Sequence, residues 1–239
     1  MVTRIALMTT IAMLVGGVGT LSAGPIYDFS TLSGGTVINL GTGATTIGPV
    51  TAEAFSLKAG VWGADYLIAR NEPGDHGLGV CAEGLANCSI GGTGDGDDNE
   101  LSQLTVQEAI RLTATYGYSW TELWVSSLDS GGTGGSEEGR LYWGNDGDIL
   151  ALLAGPSFVF KYPDFGAGIV EGDILGLAAA AGFDPGARYV LFVPYGALGD
   201  NNDYLVYGAS GVAVPEPATL ALLGLGFAGF SAVRRRRRV

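Results

Sequence analysis

The sequence predicts an all-β ectodomain, a single antiparallel β-sandwich of jelly-roll-like type, held between two terminal segments of a different kind. Two observations carry this reading. Glycine supplies 41 of the 239 residues, and glycine is costly inside helices but useful in turns. Short runs rich in Val, Ile, Thr, Tyr, Phe and Trp recur along the chain between Gly, Pro, Asn and Asp clusters, as strands recur between turns. The length between the two ends suits one domain with a buried core.

Residues 1–23 read as a secretory signal peptide. Arg4 precedes an apolar stretch from Ile5 to Val18, and Leu21-Ser22-Ala23 offers a cleavage site before Gly24. Leu21 is larger than the residue usual there, so an uncleaved anchor is the alternative; export follows from both. Three strands are expected between Ile26 and Lys58: Tyr27 to Phe29, Thr36 to Leu40 and Val50 to Leu57, separated by Gly34-Gly35, Gly41-Thr42-Gly43 and Gly48-Pro49. Val61 to Ala69 follows with Trp62 and Tyr66 as core or cross-strand residues. Asn71 to Asn99 reads as the least regular part, with His76 in a turn.

Two cysteines, Cys81 and Cys88, lie seven apart in this region. In an exported chain they are expected to pair. Closing so short a loop restricts the unfolded chain by about 2.5 kcal/mol, a local staple. Next stands an acidic stretch in which Asp95, Asp97, Asp98, Asn99 and Glu100 offer side-chain oxygens of the kind calcium takes. The spacing departs from an EF-hand, where the sixth and twelfth positions from Asp95 would be Gly and Glu rather than Glu100 and Val106. A solvated acidic loop is therefore the reading adopted, with calcium the one candidate cofactor.

Leu101 to Thr115 fits an amphipathic helix or a strand; a turn and then a strand from about Val106 is adopted. Trp120 to Asp129 and Arg140 to Trp143 are read as two strands joined hairpin-fashion across Ser130 to Gly139. Ile149 to Ala154 and Ser157 to Lys161 are apolar runs about Gly155-Pro156. Ile174 to Ala181 predicts a short helix ended by Gly182. Arg188 to Val193 reads as a strand buried on both faces, and Asp203 to Val214 as the final strand.

Residues 214–239 differ again. Pro215, Glu216 and Pro217 precede sixteen uncharged residues, 218–233, predicted as a single transmembrane helix, and then Arg234, Arg235, Arg236, Arg237 and Arg238. At about 1.5 Å per residue the helix reaches about 24 Å, a short span for a hydrocarbon core of about 30 Å. An arginine-rich flank stays cytoplasmic, which places everything before Pro215 on the far side. This order of three features resembles the PEP-CTERM sorting signal of Gram-negative bacteria. The resemblance covers about 26 residues and implies recognition by an exosortase, cleavage near Pro-Glu-Pro, and delivery to the cell surface or extracellular matrix. Partners in transit would be the secretion translocon and signal peptidase, with the chain membrane-anchored before processing.

Composition narrows the function of residues 24–213. Arg4, Arg234 to Arg238 and Glu216 fall in the terminal segments, leaving six basic against 23 acidic residues. Such a surface repels nucleic acid and anionic lipid. One histidine rules out multi-histidine zinc chemistry, and no Gly-x-Ser-x-Gly elbow or His-Glu-x-x-His is present. The expectation is a non-catalytic surface or matrix protein. A calcium- or carbohydrate-binding module is the first alternative, with Trp62, Trp120, Trp124, Trp143, Tyr116 and Tyr118 as sugar-stacking candidates and extracellular polysaccharide as partner. A glycoside hydrolase, needing only two carboxylates, is the second.

Overall fold

A computed structural model describes residues 27–29, 37–72, 75–82, 100–101, 106–115, 117–128, 136–162, 164–165, 171–196 and 203–214. Among these, the strands are β1 (Tyr27–Asp28), β2 (Val37–Gly41), β3 (Thr45–Ile47), β4 (Val50–Lys58), β5 (Val61–Glu72), β6 (Asp75–Cys81), β7 (Gln107–Ala114), β8 (Tyr118–Ser126), β9 (Glu138–Gly144), β10 (Ser157–Lys161), β11 (Gly172–Asp173), β12 (Tyr189–Pro194) and β13 (Leu205–Ala213). Two short helices, α1 (Ile149–Leu153) and α2 (Leu175–Ala180), complete the set.

Period-two burial decides the strands. In β4 the residues Val50, Ala52, Ala54 and Ser56 are buried while Thr51, Glu53, Phe55 and Leu57 are half-buried, the signature of a strand with one face on a core. Pairing is antiparallel throughout and runs β10-β9-β12-β7-β4-β5-β6-β13-β8-β11, with β3 on β4, β2 on β5 and β1 on β13. The ribbon folds into two layers at β5. Its first part, Val61 to Asp65, pairs with β4, and its second part, Tyr66 to Glu72, pairs with β6. Asp65 marks the change of layer. Its Oδ2 accepts from Ser56 Oγ and Lys58 Nζ, both at 2.5 Å, and its Oδ1 accepts from the Tyr66 amide at 2.9 Å.

From β6 onward the chain alternates between the layers except at β9 and β10, which are neighbours in one layer, giving four-strand orders β6-β13-β8-β11 and β10-β9-β12-β7. That is the strand order of a jelly roll. The two inner faces meet in one core. Val50, Ile110, Leu112, Leu141, Val190 and Phe192 come from the β12 sheet; Leu67, Leu78, Val80, Leu123, Val125 and Val206 come from the β13 sheet.

Several expectations need correction. β8 and β9 form no hairpin: β8 pairs with β13 and β11, and β9 pairs with β10 and β12. Leu123 and Val125 point into the core from one sheet and Leu141 and Trp143 from the other, so the connection crosses the sandwich. The region from Asn71 is more regular than its glycines suggested. β6 is a strand in which Gly77, at φ +138°, lies so close to β13 that an added Cβ would meet the Val206 carbonyl oxygen at 2.6 Å. A side chain is excluded there, and so the sequence lost its alternation. β3 stands in a Gly-rich stretch read only as a turn, and α1 in a stretch read only as an apolar run. The α1 start is fixed by Asp148, whose carboxylate accepts from the Leu150 and Ala151 amides.

Candidate functional site

The topology sorts the connections. Ser126 at the end of β8 opposes Leu205 at the start of β13, Gly172 opposes Val125, Lys161 opposes Glu138, and Pro194 opposes Gly139. One end of the sandwich therefore gathers the end of β8 with the starts of β11 and β13, and the ends of β10 and β12 with the start of β9. Buried acids lie at the feet of its connections: Glu100, Glu137 and Asp203 are only 7%, 3% and 7% exposed. Glu100 Oε1 is 2.6 Å from Arg70 Nη1 and accepts from Ser127 Oγ at 3.2 Å. Of the acidic stretch predicted to offer calcium ligands, Glu100 thus turns toward Arg70, while Asp95, Asp97, Asp98 and Asn99 lie outside the described residues. Among the described residues, no group of three His, Cys, Asp or Glu side chains is arranged to hold a metal ion.

Cys81 is fully buried at the end of β6, and the described residues include no free cysteine. Cys88 lies outside them, as do the signal segment, Pro215, Glu216, Pro217, the apolar run 218–233 and Arg234 to Arg238. Among the described residues no helix is long and apolar enough to cross a membrane.

The aromatic candidates separate by layer. Trp120 and Trp143 are 3% and 4% exposed in the core. Trp120 Nε1 donates to the Ala187 carbonyl at 2.7 Å, and Trp143 packs edge-on against Phe183. Neither can stack on a ligand. Tyr118 is half-buried against the same core, Trp62 packs on the outer side of the β12 sheet with Phe55 and Leu152, and Tyr116 lies outside the described residues.

Trp124 is different. It stands half-buried on β8 opposite Gly208 of β13. Its ring meets Tyr207 edge-to-face at 6.3 Å and 84°, and the ring of His76 on β6 lies 6.0 Å from that of Tyr207, tilted by 46°. Two bulges build this arrangement. The β8/β13 register shifts between Val206 and Gly208, at Tyr207, and again between Ser210 and Gly211, opposite Thr121. A bulge breaks the in-out alternation and re-aims a side chain. Thr121 and Ser210 share a hydroxyl hydrogen bond at 2.9 Å; Ser210 Oγ donates to Glu122 Oε2 at 3.1 Å, which Trp124 Nε1 approaches at 3.4 Å.

Carboxylates surround the rings. The Tyr207 hydroxyl donates to Asp28 of β1; burial first, then the Asp28 and Glu171 charges, hold its pKa above the ordinary value. Asp173 accepts from the Leu123 and Leu175 amides. Burial, its largest influence, raises the Asp173 carboxyl, helped by the Glu122 charge and opposed by those two amides. His76 is not set up as a base for a hydroxyl. Ser126 Oγ donates to the His76 carbonyl rather than to its ring, and His76 Nδ1 is buried without a hydrogen-bond partner among the described residues. Tyr207, Asp28 and Glu171 were not singled out from sequence, and His76, expected in a turn, stands instead on β6 paired with Asn71. The signal available was the second tyrosine of Tyr204-Leu205-Val206-Tyr207, but strict alternation gives no hint of a bulge.

Jelly-roll strand order with two packed antiparallel layers defines the class: an antiparallel β-sandwich domain. Its last strand ends at Ala213, and there the comparison with known families begins: residues 213–238 match the family model of the PEP-CTERM protein-sorting motif. The motif implies an exported protein targeted to an exosortase. No curated protein and no solved structure matches the chain.

Proposed function

We propose that the chain is an exported cell-surface or matrix protein, sorted and cut by an exosortase, with a non-catalytic β-sandwich as its delivered part. The observation that carries this is the junction at residue 213, where the last strand and the matched motif meet without a linker. A strand hydrogen-bonded along its length to β8 holds the sandwich directly beside the membrane until a cut near Pro215 to Pro217 frees it. Mass spectrometry of surface protein tests the reading. The expected result is an N-terminus at Gly24 and no peptide carrying Arg234 to Arg238; surface protein with an intact arginine tail would overturn it.

The reading extends to the cysteines. In an oxidising compartment Cys81 and Cys88 form a disulfide, and buried Cys81 has no use for a reactive thiol. Labelling of unfolded but unreduced exported protein is expected to find no free sulfhydryl, and two labelled cysteines would refute the pairing.

A further inference from the structure

We propose that β10, the free edge of the β12 sheet, pairs with β10 of a second copy of this chain, so that two sandwiches share one continuous sheet. The direction of the hydrogen bonds along β10 carries the inference. Just outside the strand, the Trp143 amide donates to the Pro156 carbonyl and the Tyr162 amide to the Glu137 carbonyl. Bonding alternates along an antiparallel pair, so between these points Phe158 and Phe160 bond to β9, while Ser157, Val159 and Lys161 turn their amides and carbonyls to the open edge. Lys161 is already engaged: its amide donates to Asp164 Oδ2 at 2.9 Å, and its carbonyl accepts from the Asp164 amide at 2.7 Å. Among the described residues nothing bonds the outward amides and carbonyls of Ser157 and Val159.

One register uses those open groups and no others. A two-fold axis at Phe158 sets Ser157 of each copy opposite Val159 of the other, where they exchange both bonds, and sets Phe158 opposite its own counterpart, where none is needed. The pairing then stops by itself. Its next position would oppose Lys161, held by Asp164, to Gly155, whose amide already donates to the Leu152 carbonyl at 2.9 Å. Such a register is its own complement, which makes the partner a second copy. Room is present beside the edge: a groove of about 650 Å³ is lined by Phe158, Val159, Leu177 and Ala180, and a Cβ added at Gly176 of α2 would meet nothing within 4 Å. Other edges are shielded, since β11 has two residues and β2 is bulged between Asn39 and Gly41.

The test mixes full-length chains carrying Ser157→Cys with full-length chains carrying Val159→Cys, in detergent under mild oxidation, and follows disulfide dimers on non-reducing gels. The register holds those two positions about 5.5 Å apart between Cα atoms, within disulfide reach, whereas either variant alone offers no opposed pair. The mixture is expected to crosslink at least about tenfold faster than either variant alone. Its rate should rise with salt, which screens the net charge of −12 on each copy. Adding Val159→Pro to the Ser157→Cys chain removes an amide that faces only the second copy, so crosslinking should slow severalfold at unchanged melting temperature. Equal rates in the mixture and in the separate variants overturn the proposal, as does an undiminished rate with a folded proline variant. Should the proline chain fail to fold, the comparison of mixture with separate variants decides. Each outcome leaves the sorting reading untouched, because the chain in detergent is unprocessed.

Discussion

Arg70 and Glu100 show how single residues hold the loop-bearing end. Their side chains are 12% and 9% exposed, and the Glu100 backbone carbonyl also accepts from the Val80 amide at 3.3 Å. Removing one partner of so buried a pair leaves a charge without compensation, which costs about 3 kcal/mol or more. Arg70→Ala is therefore expected to lower stability by about 3 kcal/mol in urea denaturation, and Glu100→Gln added to it should recover part of the loss. A double variant no more stable than Arg70→Ala would show that charge is not the issue. Asp173 gives a pH dependence of definite sign. Its folded carboxyl lies above the ordinary 3.8, so just above that pH the folded state binds more protons than the unfolded one, and stability falls as pH rises. Asp173→Asn keeps an acceptor for the Leu123 and Leu175 amides but removes the proton. Its melting temperature should therefore fall less than the parent's as pH is raised from 3.8 toward neutral.

Elements are fixed by what their backbones touch. At Gly139 on β9 an added Cβ would lie 2.2 Å from the Phe160 ring and 2.8 Å from Tyr204, two rings that pack edge-to-face at 5.2 Å. Gly139→Ala is expected to cost about 2 to 3 kcal/mol by overpacking. Gly63→Ala, on an exposed stretch of β5 with nothing within 4 Å, should be neutral or slightly stabilising; equal losses at both sites in thermal melts would refute the packing argument. The acidic stretch belongs to this scale too. With Glu100 held by Arg70, we expect the melting temperature to stay level as calcium is raised to about 5 to 10 mM, several times the dissociation constant of about 1 mM typical of extracellular modules. A rise that Asp97→Asn with Asp98→Asn abolishes would assign a calcium site there instead. Strand positions were mostly legible, because β4, β7, β12 and β13 alternate or are continuously apolar. β6 was not, since its glycines answer to the backbone of β13 rather than to any local pattern.

At the scale of the molecule, the proposed function makes the sandwich the cargo and the sorting motif its address. Proline lacks the amide a helix needs and biases the residue before it toward extended backbone, so Pro215 and Pro217 are expected to matter to a protease. Replacing Pro215, Glu216 and Pro217 by alanine is expected to leave insertion intact while full-length protein stays cell-bound, as read by immunoblot of cells and medium. Changing Arg234 to Arg238 to serine should instead lower the yield of correctly oriented precursor. Release of the alanine variant at the normal rate would mean that the order of the motif does not matter.

The sequence alone determined the all-β fold class and the sorting motif, because glycine content and a run of uncharged residues ending in arginines are local or summed properties. Only the tertiary structure decided which strands pair. β8 and β9 are neighbours in sequence, yet each finds its partners on a different sheet, since their apolar faces must meet across the core. It likewise decided which aromatics face outward. Trp120 and Trp124 sit on one strand with similar neighbours, and the bulge opposite Ser210 and Gly211 lies between them. Tyr207 reaches Trp124 only because a second bulge turns it there, and register between strands far apart in sequence leaves no local trace.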